Sequence, residues 1–259
     1  MQPRLKKSIN ILMKITIITP AYNSEKTIRD TIISIQQQTY TNIEHIIIDG
    51  GSKDNTLQII KSMGHTGPVI SERDNGIYDA MNKGIKMATG DIVGILNSDD
   101  FYAHNNVIKN VMKGFSSDDC DAVYGNLEYV SAENEKKVLR KWMAGSFTNK
   151  MFYRGWMPPH PTFFVKRELY ERYGSFNTTL KSAADYELLL RFMHVHKITP
   201  YYLNDVLVKM RAGGKSNSSL SNRIAAHKED HLAWKLNNIL PKWYTLAMKP
   251  ARKIPQFIL

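Results

Sequence analysis

The 259-residue chain is 42% hydrophobic, 10% aromatic and 23% charged, a globular composition that excludes a wholly disordered or fibrous protein. Its net charge of +11 is concentrated in acid-free ends, where Arg4, Lys6, Lys7 and Lys14 open the chain and Lys242, Lys249, Arg252 and Lys253 close it; the nearly balanced body between argues against nucleic-acid binding. A single cysteine, Cys120, excludes an internal disulfide and a cysteine-based zinc site, and fits a reducing cytosol. No apolar run reaches the ~20 residues of a membrane-spanning helix, and the apolar stretch of MQPRLKKSINILMK is too short for a signal peptide.

Lys14–Thr19 (KITIIT) is predicted as a strand bounded by Pro20. Ser24 offers a helix N-cap, and Ile28, Ile32 and Ile35 recur at helical spacing within Glu25–Gln38. Ile43–Ile48 reads as a buried strand ended by Asp49-Gly50-Gly51. Then follow a helix over Asp54–Met63 with Asp54 as cap, a brief strand at Pro68–Ser71, a helix over Ile77–Ala88 and a strand at Asp91–Leu96. This alternation predicts βαβ units, hence an α/β fold with a mixed, mostly parallel sheet flanked by helices. Ligands of such sheets bind beyond the carboxyl ends of the strands. Tyr22-Asn23, Asp49–Ser52 and Asn97–Asp100 all fall there.

The second half is less regular. Ala122–Val130, Val138–Trp142, Thr162–Val165 and Tyr201–Met210 read as strands, the first two as a pair. Lys166–Tyr173 and Ala184–His194 read as helices, and Asn217–Leu240 as one long helix ended by Pro241. At the end of the Asp91–Leu96 strand, Asn97-Ser98-Asp99-Asp100 offers adjacent carboxylates. Such hard oxygens suit Mg²⁺ or Mn²⁺; the alternative is an Asx turn or helix cap, which needs one Asp only.

Five segments in order resemble glycosyltransferase family 2: Thr19-Pro20-Ala21-Tyr22-Asn23, Asp49-Gly50-Gly51-Ser52-Lys53-Asp54, Asn82-Lys83-Gly84, Ala88-Thr89-Gly90-Asp91 and Leu96-Asn97-Ser98-Asp99-Asp100. The resemblance implies a GT-A fold and an inverting transferase that uses a nucleotide-diphospho sugar, a UDP-sugar by preference, with a divalent cation. It implies a domain over 14–215, with a nucleotide-sugar half (14–100) and an acceptor half (101–215), followed by a helix and basic amphipathic tail over 216–259.

By the same resemblance Pro20, Ala21, Tyr22 and Asn23 line the nucleotide, and Asp49 and Gly50 stand where family members often carry two acids, the second of which contacts the base; with Gly50 in that place, Asp49 is the remaining candidate base contact. Asp49 also reads as a strand-end turn former. Asp74 and Asn82 belong to the donor site, and Lys83 is either a diphosphate contact or a solvated helix lysine. The family metal motif is Asp-x-Asp. Here Asn97 replaces its first acid, Ser98 lies within it, and Asp99 is the chief metal ligand with Asp100 as second candidate. Ala183-Ala184-Asp185-Tyr186-Glu187 resembles the family's Glu-Asp-x-x-Leu helix start, so Asp185 inherits the general base. His160 faces acceptor, diphosphate or metal, or is a structural histidine. Arg211-Ala212-Gly213-Gly214-Lys215-Ser216 suits a diphosphate-binding lid with Lys215, or is a surface loop.

The C-terminal mixture of cations with Trp243, Tyr244, Leu246, Ile254 and Phe257 suits an anionic membrane surface; the alternative is a final packed helix followed by a solvated end. It hints at a lipid-linked acceptor in surface-polysaccharide assembly, on the inner face of the cell membrane. The alternatives are a sugar-phosphate nucleotidyltransferase and a non-catalytic basic module. The first usually carries a glycine-rich loop after its first strand, where this chain reads Pro20-Ala21-Tyr22-Asn23-Ser24.

Overall fold

The computed structural model describes residues 13–116, 119–213 and 220–257. The first half follows the predicted alternation. Strands β1 (Ile15–Ala21), β2 (Ile43–Asp49), β3 (Val69–Ser71) and β4 (Ile92–Ile95) are interleaved with helices α1 (Ile28–Gln36), α2 (Thr56–Ser62) and α3 (Ile77–Met87). They pair in parallel in the order β3-β2-β1-β4. Both faces are covered. Ile46 and Ile48 of β2 pack in one cluster with Ala80, Met81 and Ile85 of α3, while Ile47 between them joins Ile28, Ile32 and Ile60 of α1 and α2. The continuous apolar run of β2 thus follows from period-two exposure to two helical layers.

Two local expectations are corrected. β1 does not stop before Pro20 but runs on to Ala21, pairing with β2 as far as Asp49. Its pairing with β4 ends at Ile18, so the amide that Pro20 lacks has no strand partner waiting on that side. Ser24 does not cap α1 with its side chain. Its carbonyl accepts the amides of Thr27 and Ile28, and its hydroxyl meets Ser98 Oγ at 2.7 Å.

The second half contains β5 (Asp100–Tyr102), α4 (Val107–Gly114), β6 (Ala122–Val130), β7 (Val138–Trp142), β8 (Phe164–Lys166), α5 (Arg167–Tyr173), α6 (Ala184–Leu189) and β9 (Pro200–Arg211). A π-helical turn, Leu190–Val195, continues α6. The sheet extends as β4-β8-β6-β9-β5, with β7 also on β6. β8 runs antiparallel to both β4 and β6, so the sheet is mixed. Gly94 makes the β4–β8 junction possible, because a Cβ there would come 2.5 Å from the Phe164 ring. β5 and α4 escaped the sequence reading. The first is three residues long and exists through its pairing with β9.

α7 (Leu220–Leu236) and α8 (Thr245–Ala251) follow, then a short 3-10 turn at Ile254–Phe257. α7 stops before Pro241, earlier than expected. Its Ala233 and Trp234 are fully buried in the same cluster as Phe152, Tyr186 and Phe192. Truncating such a tryptophan typically costs about 3–5 kcal/mol. The Thr245 hydroxyl donates to the Tyr153 carbonyl at 2.7 Å, which pins α8. The extension is therefore packed on the domain. Lys215 and the basic residues Arg4, Lys6 and Lys7 lie outside the described residues.

Candidate active site

The loops beyond β1, β2 and β4 are laced together by their own polar side chains. Asp49 is wholly buried. Its Oδ2 accepts the amides of Gly51 (3.2 Å) and Ser52 (3.0 Å) and the Ser71 hydroxyl (2.6 Å), while Oδ1 accepts the Ser52 hydroxyl. Asn23, at φ 49°, accepts the Lys53 amide at 2.9 Å and gives its own N–H to Ser52 Oγ at 2.8 Å. Asp54 accepts the amides of Glu25 and Thr56, each at 3.0 Å. Asn23, Asp49, Asp54 and Ser98 thus build the edge of the sheet. Pro20 and Ala21 are buried at the end of β1, and Tyr22 stands on the rim, 49% exposed.

Gly50 has a specific neighbour. A Cβ at this position would overlap Asp74 Oδ2, with Asp74 Cγ only 3.1 Å away. The other oxygen of Asp74 accepts the Gly76 amide at 2.9 Å. A carboxylate therefore lies against residue 50 although that residue is glycine. Lys83 ion-pairs with Glu72 at 2.8 Å and Asp79 at 3.7 Å, and its hydrogen bond to Glu72 raises its pKa. Asn82 turns elsewhere: its amide both donates to and accepts from the Phe176 backbone, at 2.8 and 2.9 Å.

Asp99 and Asp100 sit where β4 gives way to β5. Asp100 is wholly buried, and its Oδ2 accepts from Asn97 Nδ2 at 3.1 Å. Its Oδ1 and Asn97 Oδ1 are buried without a hydrogen-bond partner among the described residues. Burial raises the pKa of Asp99; burial and then the Asp99 charge raise that of Asp100 further. Arg211 only partly offsets these charges, and hard oxygens with an unpartnered buried atom fit a divalent cation. Among the described residues no three His, Cys, Asp or Glu side chains converge as a metal site, so such a cation needs ligands beyond these two acids. Arg211 fixes the backbone here: it donates to the Asp99 carbonyl at 2.8 Å and pairs with Asp30 at 2.6 Å and with Glu135.

Asp185 lies in the first turn of α6, where unpaired amides favour a carboxylate. The Tyr78 hydroxyl donates to its Oδ1 at 3.1 Å, and His160 Nδ1 stands 3.4 Å from Oδ2. Burial lowers the pKa of His160, against the pull of the Asp185 charge, so the ring is neutral at pH 7. Its Nε2 is buried without a partner among the described residues. The structure places His160 beside Asp185, a contact outside the acceptor, diphosphate and metal roles expected for it. Burial, then the Asp185 charge, pushes the Tyr78 hydroxyl up, which keeps it a donor.

Tyr129 lies under Arg140, whose guanidinium stands 4.4 Å from its ring centroid. Burial raises its pKa, Arg140 opposes this, and the charges of Asp100 and Asp185 raise it further. Ile95, the last residue of β4, lines one pocket with His160 and Asp185, so Asp185 faces the end of the strand that leads to Asp99 and Asp100. Tyr78 and Tyr129 were missed as functional residues, whereas Arg211, expected in a diphosphate-binding lid, instead ends β9 with its guanidinium on Asp30, Glu135 and the Asp99 carbonyl. Tyr78 had a signal, since it falls inside the polar Asp74–Gly84 segment. Tyr129 and Arg211 reach the site through the β6–β9 pairing, which puts Tyr129 opposite Met210 and Val130 opposite Arg211.

Residues 16–176 match the family model described as Glycosyl transferase family 2. An uncharacterised glycosyltransferase of Rickettsia typhi is 29% identical over 204 residues, spanning 76% of this chain and 63% of the relative. A PGL/p-HBAD biosynthesis glycosyltransferase of Mycobacterium tuberculosis is 26% identical over 78% of this chain and 79% of its own length. Among solved structures, S. aureus TarS 1-349 in complex with UDP-GlcNAc superposes with a TM-score of 0.68 at 20% identity, over 87% of this chain and 65% of that one. The mannosyltransferase PcManGT from Pyrobaculum calidifontis, in complex with GDP-Man and Mn²⁺, gives 0.66 at 19% identity, over 93% and 70%. These likenesses establish the GT-A fold expected from the sequence.

Proposed function

The chain belongs to glycosyltransferase family 2, and from that premise we propose that it transfers a sugar, with inversion, from a UDP-sugar to a hydroxyl of a lipid-linked or growing surface glycan. The observation that carries this reading is Asp185, held by Tyr78 and His160 in a pocket that Ile95 at the end of β4 also lines. Asp185 accepts the proton of the acceptor hydroxyl as that oxygen attacks the anomeric carbon. The bond from that carbon to the diphosphate oxygen breaks on the opposite side, and the electron pair leaves with the nucleoside diphosphate. Tyr78 and His160 hold the carboxylate in one rotamer, so it meets the hydroxyl without reorganisation. Asp99, with Asp100 beside it, would hold a divalent cation, Mn²⁺ or Mg²⁺, which would supply positive charge to the leaving diphosphate. Lys83 and Lys215 are further cations for the donor diphosphate.

Asp74 takes the base-reading role in this proposal. Its carboxylate lies against the place of a Cβ at residue 50, where the family resemblance implies a second acid. A carboxylate accepts the imide N–H of uracil, which cytosine and adenine do not present. Pro20, Ala21 and Tyr22 flank the base, and Asn97 and Ser98 lie on the ribose side. Calorimetry with Mn²⁺ is expected to show UDP binding and neither ADP nor CDP binding, and Asp74→Asn is expected to weaken UDP about tenfold, the loss of one charge-assisted hydrogen bond. Failure of every nucleoside diphosphate to bind overturns the reading.

A lipid-linked acceptor is supported by the outer side of the C-terminal extension. Trp243 is 95% and Leu240 79% exposed, and Ile254 and Phe257 are exposed with them. Lys242 and Arg252 are interspersed, and no acid occurs after Asp230. Among the described residues no helix is long and apolar enough to cross a membrane. This arrangement suits docking at an anionic inner leaflet. In flotation with phosphatidylglycerol vesicles the protein is expected to rise with the lipid, and Leu240→Ser/Trp243→Ser to stay behind. Equal flotation of the two proteins removes the membrane claim.

A further inference from the structure

The short helix that carries Asp185 is not capped by its own side chains. Ala183 and Ala184 have no acceptor to offer, and the N-terminal position forms no side-chain cap hydrogen bond. The acceptor comes instead from α7. Glu229 Oε1 accepts the Lys181 amide at 3.0 Å, and its Oε2 accepts the amides of Ser182 at 2.7 Å and Ala183 at 3.1 Å. Three consecutive N–H groups immediately before the Asp185 turn converge on one carboxylate.

The same helix also grips the chain just after Asp185. The Trp234 indole N–H donates to the Tyr186 hydroxyl at 2.9 Å, and Asn237 Nδ2 donates to Glu187 Oε1 at 2.9 Å. Asp230 pairs at 2.5 Å with Lys249, whose ammonium stands 3.7 Å from the Tyr186 ring centroid. α7 therefore holds residues 181–183 on one side of Asp185 and residues 186–187 on the other. Asp185 itself turns to Tyr78 and His160.

We propose that Glu229 is a positioning residue for Asp185, and that α7, in the segment after the transferase core, completes the catalytic unit. This rests on the reading of Asp185 as the base. The carboxylate of Glu229 fixes the backbone from which Asp185 projects, so its loss lets the base drift from its two orienting partners. Displacements of about 1 Å at a reacting group can cost on the order of 10²-fold in rate. Donor binding depends on the other half of the sheet and is left intact.

The test uses the full chain with Glu229→Ala and the near-isosteric Glu229→Gln. Amide hydrogen exchange at residues 181–183, measured with UDP and Mn²⁺ present, is expected to accelerate at least tenfold in Glu229→Ala, with Glu229→Gln between it and the wild type. Turnover is followed as UDP release from UDP-glucose, UDP-galactose and UDP-N-acetylglucosamine with a membrane lipid extract as acceptor. It is expected to fall about 30-fold in kcat for Glu229→Ala, with donor KM and UDP affinity within twofold. Unaltered exchange at 181–183, kcat within twofold of wild type, or a matching loss of UDP affinity overturns the proposal. Asp185→Asn run alongside separates the two ideas: full turnover there discards the base, while a dead Asp185→Asn beside an active Glu229→Ala discards only the clamp.

Discussion

Asp185→Asn is expected to lower turnover by ~10²–10⁴-fold while UDP affinity stays within twofold, because a positioned general base contributes about that much and the donor is held elsewhere. The substitution keeps the volume of the side chain and its place beside Tyr78 and His160. It removes the one property the reaction draws on, a carboxylate lone pair that accepts a proton. Steady-state kinetics and UDP calorimetry on the same preparation check both halves of the statement. Turnover within a few-fold of wild type sends the search for the base elsewhere; a parallel collapse of UDP binding makes Asp185 a donor ligand.

Asp99→Asn is expected to weaken Mn²⁺-supported UDP binding ~10–100-fold, with little change in UDP binding when EDTA is present. Asp99 is the more accessible of the adjacent acids, and Asp100 is sealed behind it against Asn97. Their raised pKa values fix the sign of the pH dependence. Protons and cation compete for the same oxygens, so Mn²⁺-supported binding weakens as pH falls through a range above that of an ordinary aspartate. Titration by calorimetry across pH 5–8 checks this. Metal-independent UDP affinity in the wild type, equal to that of Asp99→Asn, rejects the assignment.

The first half of the fold was legible because each strand–helix pair carries its own local periodicity, as in Ile28, Ile32 and Ile35 against Ile46, Ile47 and Ile48. α4 had the same kind of signal in Val107, Ile108, Val111 and Met112, all buried. β5 had none, because three residues carry no period and its partner β9 lies more than a hundred positions away. The site divides in the same way. Asp99, Asp100 and Asp185 stand inside ordered segments that resemble the family. Tyr129, Arg211 and Glu229 arrive by strand pairing or helix packing, which no stretch of neighbours encodes. Asn23, Asp49 and Ser98 add something their types alone did not tell: they also hold adjoining loops together.

The contact between Gly50 and Asp74 makes the two positions interdependent. A side chain gained at 50 would require the acid at 74 to shift. The acid comes from the connection between β3 and α3, not from the end of β2. If Asp74 reads the base as proposed, nucleobase preference is lodged in a stretch that can be lengthened, shortened or exchanged while the strands beneath keep their register.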